Sequence, residues 1–193
     1  MATYRAIAAT TQAIMDLLRN SWQEGLINVP NPRFEVFRTT DFSEAMSAGV
    51  SLFLYQVKIN SVQRTIPRRP GLQGQLQRPE LALDLHMMLT PWAQGASVEQ
   101  EILGWMMRTL EDNPVISGGA LPDDVFLEGE TIEIIKDELI LEELFRIWDV
   151  LPTNFQISVP YLARVVRIQS LLDTQGEGVV LTRDLRFGKG DDR

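Results

Sequence analysis

Two ionisable side chains near the middle of the chain have the spacing of a catalytic pair. Asp84 and His86 stand two residues apart in a predicted β-strand, so their side chains share one face. A carboxylate beside a histidine could orient it as a general base. The nucleophile would have to be Ser51 or Ser158, and neither lies in a Gly-x-Ser-x-Gly turn. The sequence favours a hydrogen-bonded Asp84–His86 pair on a half-buried sheet face over a hydrolase site.

Other ligand-binding patterns are incomplete. The glycines at 71 and 74, and those at 176 and 178, complete neither a dinucleotide fingerprint nor a phosphate-binding loop. Asp123 and Asp124 lack the alternating oxygen ligands of a calcium loop. The chain has no cysteine and one histidine, which excludes thiol catalysis, cysteine-ligated metals and multi-histidine metal sites. We therefore expect no catalytic residue, no cofactor and no bound metal.

The composition fits one globular domain. The chain has 193 residues, of which 45% are hydrophobic and 23% charged. A formal net charge of −8 argues against a general binder of nucleic acid or of anionic membranes. No run of 18 apolar residues is present, which predicts no membrane insertion. Residues 1–20 do not resemble a signal peptide, so synthesis and assembly in the cytoplasm are expected.

Hydrophobic periodicity predicts an α+β fold. We predict one domain over residues 1–172, with a mixed, mainly antiparallel sheet of four to five strands flanked by two to three helices. The predicted helices cover 3–22, 97–110 and 139–148, and the predicted strands cover 34–36, 50–59, 81–89, 131–135 and 155–170. Residues 173–193 are glycine-rich and charged, and are expected to form a flexible tail.

Charge is distributed unevenly along the chain. Residues 45–79 contain five basic and no acidic side chains, whereas residues 111–149 contain twelve acids opposed only by Lys136 and Arg146. Opposite charges in separate blocks suit head-to-tail contact between copies of one chain. Together with the tail, the basic block supplies the candidate interface residues, which are Lys58, Arg64, Arg68, Arg69, Arg78, Arg183, Arg186 and Lys189.

Four of the five basic residues in 45–79 fall in a connection that is longer than a hairpin requires. It covers about residues 60–79, between two predicted strands, and is rich in arginine, proline and glycine. Connections of this length are usually functional or disordered. Three interpretations stay open: a solvated loop, an arm that docks on another subunit, and a segment that grips nucleic acid. The last is disfavoured because aromatic residues for base stacking are lacking.

An ordered series of short patterns resembles a known family over roughly residues 3–170. The series comprises Ser51-Leu-Phe-Leu-Tyr-Gln-Val, the Arg/Pro-rich connection, Arg78-Pro-Glu-Leu-Ala-Leu-Asp-Leu-His, Glu101-Ile-Leu-Gly-Trp-Met-Met, Leu141-Glu-Glu-Leu-Phe-Arg-Ile-Trp and Ile157-Ser-Val-Pro-Tyr-Leu-Ala-Arg. It resembles the cap, or tail-terminator, proteins of contractile injection systems, which are phage-tail-like particles.

The resemblance implies a structural protein and not an enzyme. Such a cap is a homohexameric ring that sits on the last layer of inner tube and outer sheath, stops tube polymerisation and anchors the sheath end. Its partners would be other copies of itself, the tube protein and the sheath protein, in a particle that is released or membrane-anchored. Two rivals remain: a monomeric adaptor that recruits an acidic partner through the basic connection, and a hydrolase that uses Asp84 and His86.

Overall fold

The computed structural model describes residues 3–44, 46–62 and 80–169. Three α-helices and six β-strands occur in these ranges. In chain order they are α1 (Ala6–Ser21), β1 (Arg33–Phe37), β2 (Gly49–Ile59), β3 (Leu81–Trp92), α2 (Ala96–Asp112), β4 (Val115–Ser117), β5 (Thr131–Lys136), α3 (Leu141–Asp149) and β6 (Val159–Ile168). The α+β prediction is confirmed, and the strand count of four to five is wrong because β4 was not anticipated. The whole predicted tail, residues 173–193, and residues 63–79 of the long connection lie outside the described residues.

All six strands form one mixed sheet in the order β1-β2-β3-β6-β5-β4. β1 and β2 are parallel, and every other neighbouring pair is antiparallel. The backbones of β1 and β2 approach each other closely at their first residues, where Gly49 lies opposite Arg33. Gly49 has a φ of +137°, and a Cβ atom there would lie 1.9 Å from the carbonyl oxygen of Arg33. Only glycine fits this position without moving β1.

Helices α1 and α2 cover one face of the sheet. The apolar positions of α1 recur at helical spacing, and its buried side chains include Ile14, Met15 and Leu18. They pack in one cluster with the residues of β3 that alternate toward this face, which are Leu83, Leu85, Met87 and Leu89. Ile102, Met106 and Leu110 of α2 complete the cluster. The apolar residues of β3 that face the helices therefore recur at every second position.

A second, smaller cluster covers the opposite face. Phe42 lies in a short 3-10 helix (Thr39–Ser43) and is 1% exposed. Its ring makes edge contacts with Phe53 and Trp148, at centroid distances of 5.4 and 5.5 Å. Met88 and Trp92 of β3 and Leu144 of α3 belong to the same cluster. Since both faces of β3 are buried at its end, residues 87–92 form a continuous buried run.

β2 is only half paired on its outer side. β1 pairs with residues Gly49 to Phe53, and its register ends there. Within the described part of the chain, Leu54 and residues 56–59 therefore pair with β3 alone, and the register is irregular at Tyr55. This half of the strand leads into the connection of residues 60–79.

Candidate functional site

Asp84 and His86 lie on β3 as predicted, but they bind different partners. Both carboxylate oxygens of Asp84 accept hydrogen bonds from Asn60 Nδ2, at 3.1 and 3.0 Å. Asp84 Oδ1 also accepts the backbone N–H of Val165 at 3.2 Å. Val165 has a φ of +61°, and the register of β3 against β6 shifts between Leu83 and Leu85. Asp84 thus stabilises a β-bulge, and the expected pairing with His86 is wrong.

His86 instead binds a carboxylate from beyond β5. His86 Nδ1 lies 2.6 Å from Asp137 Oδ2, and the Tyr55 hydroxyl donates to the same oxygen at 3.0 Å. Burial, together with the negative charge of Asp137, raises the pKa of Tyr55 above its usual value, so the hydroxyl is held as a donor. Because β6 separates β3 from β5, these bonds cross the sheet face and hold the segment that leads into α3.

The candidate nucleophiles have structural hydrogen bonds. Ser51 Oγ accepts the indole N–H of Trp92 at 2.8 Å, and Ser158 Oγ accepts that of Trp148 at 3.0 Å. Both hydrogen bonds are buried. Ser51 pairs with Thr90, four residues along β3 from His86, which places it about 13 Å from the histidine along the strand. The described residues therefore do not assemble serine and histidine as a hydrolase would need.

The acidic pair Asp123 and Asp124 is exposed. Asp124 forms an ion pair with Arg5, with 3.5 Å between Arg5 Nη1 and Asp124 Oδ2. Over the described ranges, no group of three or more histidine, cysteine, aspartate or glutamate side chains is placed to hold a metal ion. In the same ranges, no helix has both the length and the apolarity to span a membrane.

One of the eight candidate interface residues can be located. Lys58 is exposed near the end of β2, opposite Asp84 in the register. The other seven, Arg64, Arg68, Arg69, Arg78, Arg183, Arg186 and Lys189, lie outside the described residues. Val57 and Ile59 flank Lys58 and are about half exposed. In the sheet they lie opposite Leu85 and Leu83, which face the main core.

A second exposed apolar area lies on α3. Leu141 and Phe145 point outward at a spacing of four residues, whereas Leu144 and Trp148 are buried. The Phe145 ring packs against the exposed Phe155 ring at 4.9 Å between centroids. We call Leu141, Phe145 and Phe155, with the flanking acids Glu142 and Asp149, the α3 surface.

Sequence reasoning missed Asp137, Tyr55 and the outward half of α3. Nothing local connects His86 with a carboxylate 51 residues away. The α3 surface left no such signal either, because Leu141, Leu144, Phe145 and Trp148 recur at the i, i+3, i+4 and i+7 spacing of a helix with a single buried face.

Three comparisons bear on this fold. A family model described as the Pvc16 N-terminal domain matches residues 9–182. No protein among those with curated functions matches the sequence. The fold is similar to the sheath/tube terminator of PVC, an extracellular contractile injection system, in its extended state, with a TM-score of 0.60 and 17% identity. It is also similar to the tube terminating cap of AFP, the anti-feeding prophage, with a TM-score of 0.58 and 17% identity.

The two structural matches cover most of this chain but not of the other proteins. The match to the PVC terminator covers 100% of this chain and 66% of that one. The match to the AFP cap covers 93% of this chain and 60% of that one. The chain thus spans just under two thirds of the length of these terminators. At 17% identity, the likeness establishes the fold.

Proposed function

Because this chain belongs to the Pvc16 N-terminal domain family, the cap family of contractile injection systems, we propose that it is a structural subunit that terminates the inner tube and anchors the sheath end. The observation that carries the proposal is the family match over residues 9–182. The terminator fold over the chain's full length supports it independently of sequence identity. On this proposal the protein is not an enzyme.

The proposed working form is a homohexameric ring. Cyclic assemblies use a heterologous contact, in which one patch of a subunit binds a different patch of the next. The chain offers two such patches, since acidic side chains concentrate in residues 111–149 and basic ones in residues 45–79. Termination follows if the ring presents one face that complements the last tube layer and a second face that no tube subunit recognises.

The proposed contacts to neighbours run through the basic residues. Lys58 on β2, the arginines of the 60–79 connection and the basic residues of 173–193 would meet the tube, the sheath or adjacent cap subunits. We propose that the domain over residues 1–172 forms the ring body. The protein would be made and assembled in the cytoplasm as part of a phage-tail-like particle, which is then released or membrane-anchored.

The first test is the native mass of the purified protein across a concentration series, with and without purified tube. A mass of about 131 kDa, six times 21.9 kDa, supports a preformed ring. A monomer that joins tube ends and blocks their growth supports a ring that assembles there. A monomer that neither binds tube nor blocks its elongation overturns the proposal and favours an adaptor.

Two variants separate the cap from its rivals. Simultaneous Arg64→Glu, Arg68→Glu and Arg69→Glu should abolish capping and leave the monomer folded, because the contacts are electrostatic. Normal particles from this variant would exclude the basic connection from the contact. His86→Ala should retain capping once folding is verified by circular dichroism, because the Tyr55 hydroxyl still holds Asp137. A variant that folds and forms rings but loses function would point to chemistry at His86.

A further inference from the structure

The α3 surface is apolar where a solvated helix would be polar. Leu141 is 62% exposed and Phe145 is 42% exposed. Phe155, from the segment between α3 and β6, extends the same area through its ring contact with Phe145. Single exposed apolar residues are common on folded proteins, but contiguous ones mark contact sites.

Acidic side chains border this apolar stripe. Glu142 and Asp149 lie three and four residues from Phe145, so helical spacing places both beside it. Residues 137–149 carry five acids and one base, and that base, Arg146, is engaged with Glu142 at 2.7 Å. A segment that docks here must therefore supply both apolar and basic side chains.

A cavity beside the start of α3 adds shape to the surface. Its volume is about 460 Å³, and its lining includes Leu139, Leu141, Leu144, Glu138 and Asp137. Leucine side chains and the carboxylates of Asp137 and Glu138 line it together, and Lys136 is the one base among the described residues of the lining. The Tyr55–Asp137–His86 hydrogen bonds fix one wall of this cavity, because Asp137 belongs to the lining.

The chain itself contains a segment of complementary chemistry. Residues 63–79 carry four arginines and no acid, with Ile66, Leu72 and Leu76 interspersed. The segment is 17 residues long and lies outside the described residues. In a chain of net charge −8, it is the part best matched to an acidic, apolar surface.

We propose that the α3 surface of one subunit binds the basic segment 63–79 of a second copy of this chain. This inference rests on the proposed ring and names the two sides of its subunit contact. The contact is heterologous, so each subunit donates its segment to one neighbour and accepts another on the opposite side. Arginines of the segment pair with Glu142 and Asp149, and its apolar side chains cover Leu141 and Phe145.

Charge reversal on each side tests the pairing. Glu142→Lys with Asp149→Lys, and separately Arg68→Glu with Arg69→Glu, should each weaken self-association about tenfold or more, because like charges then meet. Sedimentation velocity measures this, with tube ends present if the wild type assembles only there. Glu24→Lys with Glu101→Lys is the matched control, because it makes the same charge change on exposed residues that lie outside the acidic block 111–149, one after α1 and one in α2. The control should associate like the wild type.

Mixing the two reversed variants gives the decisive result. In the mixture, the unchanged segment of one variant can bind the unchanged α3 surface of the other. The reversed segment can bind the reversed α3 surface. Opposite charges meet in both contacts, so association should return toward the wild-type level. Failure of the mixture to recover, or equal weakening by the control, overturns the inference. If each reversed pair lowers the thermal stability of the monomer, and a chain with all four reversals restores that stability while its mass stays monomeric, the segment binds its own subunit and the inference is overturned as well.

A second variant separates the loss of a subunit contact from a folding defect. Leu141→Ser changes an exposed position, so thermal unfolding should stay close to the wild type while self-association weakens. Tube capping by the wild type is assayed in parallel. If the wild type caps tubes but neither the α3 variants nor Leu141→Ser affects association, this inference fails and the proposed function stands. If the wild type does not bind tube at all, the proposed function fails.

Discussion

His86 Nδ1 and Asp137 Oδ2 lie 2.6 Å apart, although 51 residues and an intervening strand separate them. Asp137 also accepts the Tyr55 hydroxyl, so one carboxylate joins β2, β3 and the segment after β5. That segment leads directly into α3. The polar cluster therefore holds the start of α3, whereas Ser51 and Ser158 are bonded to the indole N–H groups of Trp92 and Trp148.

We expect Asp137→Asn to lower the free energy of unfolding by about 1–3 kcal/mol, because it weakens two largely buried hydrogen bonds to a carboxylate. A double-mutant cycle with Tyr55→Phe, followed by chemical denaturation, should give a coupling energy of about 0.5 kcal/mol or more. A coupling energy near zero would show that Tyr55 and Asp137 do not interact.

The alkaline limit of stability should depend on Tyr55. Burial, which has the larger effect, and the negative charge of Asp137 both raise the pKa of Tyr55 in the folded state. The unfolded chain therefore loses this proton first, and the contribution to stability is complete below about pH 10 and is lost as the pH rises further. The free energy of unfolding should fall less steeply above pH 10 in Tyr55→Phe than in the wild type.

Tyr161→Phe provides the comparison for that experiment. Burial, with a smaller effect of Glu111, raises the pKa of Tyr161 to about 12. Removing the Tyr161 hydroxyl should also make the free energy of unfolding fall less steeply above pH 10, because the pKa of Tyr161 is raised in the folded state as that of Tyr55 is. Profiles of all three proteins that run parallel between pH 9 and 12 would contradict both assignments.

Gly49→Ala should destabilise the fold by at least about 2 kcal/mol. The methyl group would meet the Arg33 carbonyl and require a positive φ. Gly119→Ala is the control, because no atom lies within 4 Å of the added methyl and the φ is ordinary. Thermal unfolding that shifts equally in both variants would mean that β1 does not approach β2 as described.

Asp84→Ala should cost more stability than Asp84→Asn. Alanine leaves the Val165 N–H and the Asn60 amide without this acceptor, whereas asparagine keeps one oxygen for the bulge. We expect a loss of about 1–3 kcal/mol for alanine and a smaller one for asparagine, measured by chemical denaturation. Equal losses would mean that the carboxylate does not hold the β-bulge.

Local patterns determined most of the elements. The period-two alternation of β3 and the helical spacing in α1 and α2 are visible over ten or more residues, so their positions are predicted to within a few residues. β4 was missed because three residues are too few to show a period. The ordered series of short patterns also sufficed to indicate the cap family, which the family match confirms.

Tertiary structure alone decided the partners of the polar side chains. Residues two apart on a strand share a face, yet Asp84 turns to a bulge in β6 while His86 meets Asp137. Hydrogen bonds form between whatever groups the sheet order brings together, and that order depends on pairing between distant segments. The same holds for α3: the sequence shows that Leu141, Leu144, Phe145 and Trp148 are apolar, but only packing against β3 shows that Leu144 and Trp148 are buried while Leu141 and Phe145 are exposed.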